Sequence, residues 1–285
     1  MSPGPTPRKK ISRRNLLIGT GGGVLVGSGV GFIGSENLTV NRQTLHLPNW
    51  DADGFRLVQV SDIHANTPEQ AARATEAFQK AVQEKPDLIV FTGDFLDFAT
   101  TEACAHVKAA LDELHDAQCP CYAVFGNHDW YTCQNTDRLH RTVRSSPLKL
   151  LSNHVVEVNG VTLVGLDDAL EGRCRPNHIN WNATSKSLLV MLHEPDSVGI
   201  VPKQVSLMIS GHSHGGEICL PFGIPLKLPK GASKYHTGFY PDAHVPLYVS
   251  RGVATCAPFR MFCPPEINVL TLYGTGNASD KPVAV

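Results

Sequence analysis

Residues 55–64 read FRLVQVSDIH, residues 87–94 read DLIVFTGD and residues 121–129 read CYAVFGNHD. Each stretch starts as a short aliphatic and aromatic run and ends in polar residues able to bind a cation or move a proton. Runs this short, rich in β-branched and aromatic side chains, predict buried strands. A helix start lies between the first two: Thr67 at the N-cap, Pro68 in the first turn and Gln70 at the capping-box position. Ala71, Ala74, Phe78 and Ala81 follow at helical spacing, and Pro86 ends the helix. Cys104, Val107, Leu111 and Leu114 mark the inner face of a second helix. Strand, polar segment and helix repeated in this order predict an α/β protein whose site lies beyond the strand ends.

The second half is richer in strands. Val155–Val158 and Val161–Val164 flank Asn159-Gly160, a pair suited to a type I′ hairpin turn. Residues 188–192 run into His193-Glu194-Pro195-Asp196, and residues 205–209 run into SGHSHGG at 210–216. Val245–Ser250 and Ile267–Tyr273 read as late strands, and Pro221–Pro246, rich in Gly and Pro, as a long ordered loop over the site.

Five segments therefore put His, Asp or Asn at strand ends. In Asp62-Ile63-His64, a carboxylate and an imidazole two residues apart on extended backbone would face one side and grip one cation. In Gly93-Asp94, one carboxylate can bridge two cations, one oxygen on each; Asp97 nearby reads as a solvated loop acid. In Gly126-Asn127-His128-Asp129, Asn127 offers a neutral carbonyl oxygen. His128 is a candidate general acid, and Asp129 a candidate to orient it. His193 offers one more imidazole. In the glycine-framed turn Gly211-His212-Ser213-His214-Gly215-Gly216, two imidazoles can face a common site.

In this order the segments resemble the calcineurin-like metallophosphoesterase family, whose DxH, GD, GNH(D/E), H and GHxH motifs stand here as DIH, GD, GNHD, H and GHSH. The resemblance covers roughly residues 50–275 and implies a four-layer α/β/β/α sandwich of two mixed sheets with a binuclear metal site. It implies that Asp62, His64 and His214 bind one divalent ion, that Asn127, His193 and His212 bind the other, and that Asp94 bridges them. It implies further that His128 binds no metal and serves the leaving group or the transition state, and that a hydroxide generated between the ions attacks phosphorus. Nitrogen and oxygen ligands suit Mn, Fe or Zn better than Ca.

Residues 214–222 (HGGEICLPF), residues 247–252 (LYVSRG), Pro258-Phe259-Arg260 and Pro265-Glu266 look like a narrower branch of exported or membrane-associated phosphoesterases. That branch includes pyrophosphatases of UDP-2,3-diacylglucosamine in lipid A synthesis. The implied substrate is a phosphodiester or pyrophosphate, lipid-linked or part of the envelope. Asn127, Arg251 and Arg260 are candidates to touch its phosphate; a structural salt bridge is the alternative for either arginine. Phe222, Phe239 and Tyr240 either line an apolar groove for a lipid or base or pack in loops.

Residues 8–18 read RKKISRRNLLI, and the run Asn15–Gly34 holds eight glycines. A basic region followed by a weakly apolar stretch resembles a twin-arginine signal centred on Arg13 and Arg14. This predicts three parts: residues 1–45 as signal or membrane anchor and linker, 46–275 as catalytic domain, and 276–285 as a tail. The implied partners are the twin-arginine export machinery and the membrane, and the implied location is the periplasm or the outer face of a bacterial membrane. The whole chain carries -1, but Arg8, Lys9, Lys10, Arg13 and Arg14 supply five positive charges before the first acid, so the remainder carries -6. That sign gives no general attraction to nucleic acid. The eight cysteines include no CxxC pair, and Cys119 and Cys121 are too close for an ordinary disulfide. They read as small buried residues, with one or two disulfides open to an exported domain. The rival readings are a phosphomonoesterase, a nucleotide phosphodiesterase and a non-catalytic metal-binding envelope protein.

Overall fold

The computed structural model describes residues 37–131, 136–183 and 185–277. The twin-arginine-like stretch, Cys133 and residues 278–285 lie outside the described residues. No helix among the described residues is long and apolar enough to cross a membrane.

Two six-stranded mixed sheets lie face to face. The first has the order β1 (Thr39–Leu47), β14 (Glu266–Gly274), β2 (Phe55–Val60), β3 (Leu88–Phe91), β4 (Cys121–Ala123) and β5 (Lys149–Leu150). The second has the order β12 (Gly238–Tyr240), β13 (Leu247–Val249), β9 (Leu207–Ser210), β8 (Leu188–Met191), β7 (Val161–Gly165) and β6 (His154–Val158). Alternation along the strands assigns side chains to layers, since neighbours on a strand face opposite sides. On β3, Leu88 and Val90 point between the sheets, while Ile89 and Phe91 point to the helices. On β8, Leu189 and Met191 point between the sheets, and Leu188 and Val190 point outward.

Helices α1 (Pro68–Gln83), α2 (Thr101–Asp112) and α4 (Thr136–Arg144) cover the outer face of the first sheet, with the short α3 (Asn127–Tyr131) at its edge. The capping box at Thr67 and Gln70 forms as the sequence predicts. The outer face of the second sheet is covered by 3₁₀ turns and loops, including Pro195–Ile200 with Val198, and by Tyr235. The fourth layer is thus present without a long helix among the described residues. The hairpin at Asn159-Gly160 has positive φ at both residues (50° and 83°), as a type I′ turn requires.

The structure moves one boundary. Thr39–Leu47 pairs in parallel with β14 along its whole length, so a domain beginning at residue 46 would cut through β1. The loop 221–246 also carries strands: it contains half of a two-stranded ribbon, β10 (Cys219–Leu220) with β11 (Ile224–Pro225), and all of β12. All seven described cysteines are free.

The two sheets end at a common edge. Gln59 at the end of β2 donates to the Ser210 carbonyl of β9 at 2.8 Å, and His193 after β8 lies 2.6 Å from the Thr92 carbonyl after β3. Behind this edge, Phe91 packs its ring 4.1 Å from Phe95 and 6.1 Å from Phe78, centroid to centroid. Phe91→Ala should lower stability by about 3–5 kcal/mol through lost burial and an unfilled cavity. Urea unfolding of the full chain measures this; a loss below about 1 kcal/mol would mean that the layer collapses around the gap.

Candidate metal centre

Loops after β2, β3, β4, β8 and β9 deliver the predicted ligands, and left-handed backbone aims five of them. Asp62 (φ 54°), His64 (37°), Asp94 (63°), His212 (68°) and His214 (49°) all sit where side-chain-bearing residues rarely do. Asp62 and His64 therefore share a direction for another reason than the one expected. β2 ends at Val60, and a left-handed turn, not extended backbone, brings the two side chains together. Such conformations persist where surrounding structure over-determines them. Here Asp62 N and Ile63 N donate to the carbonyls of Gly93 and Asp94, each at 3.0 Å, and His212 N donates to Asp62 Oδ1 at 3.0 Å. Space dictates two of the motif glycines. A Cβ on Gly126 would stand 2.3 Å from Asp94 Oδ1, and one on Gly211 would stand 2.0 Å from Ser61 Oγ.

The ligand atoms form two overlapping sets. Those of Asp62, His64, Asp94 and His214 lie within 4.8 Å of one another, as do those of Asp94, His193 and His212. Asp94 is common to both. His193 Nε2 is 3.1 Å from Asp94 Oδ2, and His64 Nε2 is 3.6 Å from the same oxygen. Asn127 lines the same pocket, and its buried Oδ1 has no hydrogen-bond partner.

Second contacts fix which nitrogen of each ring faces inward. A carbonyl only accepts, so His193 Nδ1 carries its proton toward Thr92 O, and His212 Nε2 carries its proton toward Lys230 O at 2.8 Å. His64 Nδ1 lies 2.9 Å from Asp97, and His214 Nδ1 faces Glu217 at 3.4 Å. The opposite nitrogens are left with lone pairs directed into the site, the arrangement typical of metal-bound histidines. His64 Nε2 and His214 Nε2 are only 3.2 Å apart. Two ring nitrogens at that distance need a positive centre between them, a shared proton or a divalent cation held with the carboxylates. Burial and the neighbouring His193 push His212 down to about 4, so its ring is neutral near pH 7. The donor set, the partnerless Asn127 oxygen and the facing lone pairs fit two divalent ions of the nitrogen- and oxygen-preferring kind.

His128 stands at the pocket wall, half-exposed, with Nδ1 2.7 Å from Asp97 Oδ1. Burial lowers its proton affinity, but Asp97 and Asp94 raise it by more, and it ends above the ordinary histidine value. Burial raises Asp97 in turn, and the His128 and His64 contacts outweigh it and hold the carboxyl well below its usual range. Asp97 is therefore the orienting carboxylate, and the assignment of that role to Asp129 is corrected. Asp129 is fully buried and accepts from the backbone N–H groups of Asp94, Phe95, Leu96 and Gly126, at 2.8–3.3 Å. It holds the two loops together. Its position beside His128 in sequence misled, because a helical turn at 127–131 points the two side chains apart.

The arginines are corrected too. Arg260 is fully buried and directs its guanidinium at the carbonyls of Ala254, Arg251, His214 and Cys263. Arg251 pairs with the buried Glu266, Nε to Oε2 at 2.9 Å. Neither lines the pocket. Phe239 and Tyr240 pack against the cores on either side of the second sheet, while Phe222 is fully exposed and lines nothing.

Three features had no signal in the motifs. Glu217 accepts from the backbone N–H groups of Cys256 and Ala257 and lies 3.9 Å from Arg260, tying three loops to His214. Cys256 lines the pocket, with its sulfur within 4.8 Å of ligand nitrogens of His64 and His214. The pocket, of about 650 Å³, is lined by polar side chains such as His64, Asp94 and His128 and also by the apolar Leu170, Ile218, Leu226 and Leu228.

Comparison with known proteins agrees with this geometry. Residues 55–216 match the family profile described as Calcineurin-like phosphoesterase. The chain is 30% identical to the uncharacterized metallophosphoesterase YkuE of Bacillus subtilis (strain 168), over 94% of this chain and 99% of that protein. It is 28% identical to the phosphodiesterase YaeI of Escherichia coli (strain K12), over 92% of this chain and 99% of that one. It is 27% identical to the UDP-2,3-diacylglucosamine pyrophosphatase LpxG of Chlamydia muridarum, over 76% and 83% respectively.

The buried guanidinium separates a brace from a phosphate contact. Arg260→Ala leaves several carbonyls without their donor and Glu217 without its neighbouring cation, and should cost about 3–5 kcal/mol in urea unfolding. Unchanged stability with a raised KM alone would restore Arg260 to substrate binding.

Proposed function

The chain belongs to the calcineurin-like phosphoesterase family and is a hydrolase; from that premise we propose that it cleaves a phosphodiester or pyrophosphate bond in an amphiphilic substrate at the outer face of a bacterial membrane. The observation that carries the reading is the pair of donor sets sharing Asp94, in a pocket whose lining also includes four aliphatic side chains. Asp62, His64, Asp94 and His214 would hold one divalent ion, and Asp94, Asn127, His193 and His212 the other. Ions bound there supply charge neutralisation for the phosphoryl oxygens and a water acidic enough to act as nucleophile near neutral pH.

The chain's own residues do the rest. Asp97 pins His128 through Nδ1 and favours its protonated form, so Nε2 can present a proton to the leaving oxygen. Asp129 keeps the Asp94 loop against the Gly126 loop, which fixes His128 relative to the bridging carboxylate. Leu170, Ile218, Leu226 and Leu228 in the pocket lining offer apolar surface to hydrocarbon. Two relatives, a phosphodiesterase and a pyrophosphatase of a diacylated sugar nucleotide, support that substrate class.

Hydrolysis of bis-p-nitrophenyl phosphate by the full chain should require Mn²⁺ and vanish with Asp94→Ala, which should also lose bound metal. His128→Ala should lower kcat by about 10²–10⁴-fold while metal content, read by elemental analysis, stays unchanged. Equal turnover in His128→Ala and wild type would sink the assigned role of that residue.

The address is part of the proposal. Arg13-Arg14, preceded by Ser12 and followed by Asn15-Leu16-Leu17, would direct the folded, metal-loaded domain to the twin-arginine route. Changing both arginines to lysine should keep the protein in the cytoplasmic fraction. Normal export of that variant would rule out this route.

A further inference from the structure

The ribbon of β10 and β11 leaves the pocket wall and returns to it. Ile218 and Leu226 both line the pocket, and Leu226 N donates to Ile218 O at 3.1 Å. Between them the chain projects outward, and what it shows to solvent is apolar. Phe222 at the turn is 100% exposed, Leu226 60%, Ile224 55% and Leu220 46%. Phe222 also has φ 71°, a left-handed conformation that bulky residues avoid. Phe262 extends the patch: it is 41% exposed with φ 53°, and its neighbour Met261 bridges to Ile218. Single exposed apolar residues are ordinary, but a contiguous set on one projecting ribbon marks a contact surface.

Charge selects the partner. From Ile218 to Pro241 there is no Asp or Glu, whereas Lys227, Lys230 and Lys234 are exposed. The domain beyond the first 35 residues is net negative, so this is a local reversal of sign. An apolar tip with ammonium groups set behind it is the composition that enters the headgroup region of an anionic bilayer. Apolar side chains reach the acyl boundary, and the lysines stay level with the phosphates. A second copy meeting this patch through a two-fold axis would bring its own lysines against these and repel.

We propose that the 218–228 ribbon is a membrane-docking element that seats the mouth of the catalytic pocket on an anionic lipid surface. Phe222, Ile224 and Leu220 enter the bilayer interface, and Lys227, Lys230 and Lys234 pair with lipid phosphates. The pocket then opens at the depth where the phosphate of an amphiphile lies. This contact is independent of which bond the enzyme cleaves, because it involves none of the candidate metal ligands.

The test uses the full chain with Phe222→Trp, mixed with phosphatidylglycerol vesicles whose acyl chains carry bromine as a quencher. The N-terminal segment is the same in variant and wild type, so added quenching belongs to residue 222. The expected result is a blue-shifted, quenched component absent from the wild-type chain, whose tryptophans are Trp50, Trp130 and Trp181. It should be much weaker on phosphatidylcholine vesicles. No added quenching overturns the proposal, and equal quenching on both lipids overturns the role of the lysines. The same blue shift on raising protein concentration without lipid would assign the ribbon to a second copy instead. Phe222 is fully exposed, so the substitution leaves packing alone, and an unchanged melting temperature verifies this.

Discussion

Four imidazoles and two carboxylates aimed at one small volume need positive charge among them, and the rest of the structure is arranged to hold them there. Asp62 and Asp94 are fully buried with His64 and His193 against them, and unpaired charges in such a place are costly. Three of the four rings are pinned by the outer nitrogen to Thr92 O, Lys230 O or Asp97, and the fourth, His214, faces Glu217 at 3.4 Å. Five left-handed residues hold the loops in a backbone form that the loops alone would abandon. The compensation comes from divalent charge, which makes the same convergence favourable. Folding strength in the two sheets is what keeps this geometry preorganised when the charge is not yet bound.

Much of this was legible because strand ends are legible. The short apolar runs at 55–60, 88–91, 188–191 and 207–210 are strands in both readings, and each is followed by the polar residues that meet at the common edge. Motif glycines signalled tight approach, although at Gly126 and Gly211 the demand is for space and not for unusual φ. The family resemblance assigned Asp94 to both ions, and the two overlapping atom sets have that topology.

What escaped reading was whatever depends on side-chain direction after a turn. Asp129 is next to His128 in sequence, yet it serves backbone amides, while Asp97, thirty-one positions earlier, serves the imidazole. A strand rule put Asp62 and His64 on one side, and the result was right for a wrong reason. Arginine beside a phosphate-binding motif suggests anion contact, but burial decides: a guanidinium with no solvent and four carbonyl oxygens around it has no donor to offer a substrate. Strand β1 was missed because its partner β14 is more than two hundred residues away, a pairing no local pattern encodes.

Residues 211–230 join these threads. His212 and His214 stand at one end, Glu217 ties His214 to the loop of Cys256 and Ala257, and the exposed ribbon follows at once. The chain returns through Leu226 to Lys230, whose carbonyl fixes the His212 ring at 2.8 Å. Gly216 is pressed against Pro225, where an added Cβ would stand 2.5 Å away, so the ribbon cannot swing freely on its stem. A segment that positions ligands at both ends must be stiff. Stiffness also favours an exposed apolar tip, because a preordered element loses little conformational entropy when it binds. The left-handed Phe222 at the tip is the same device that aims the ligands: local strain, held by neighbours, placing a side chain where relaxed backbone would not.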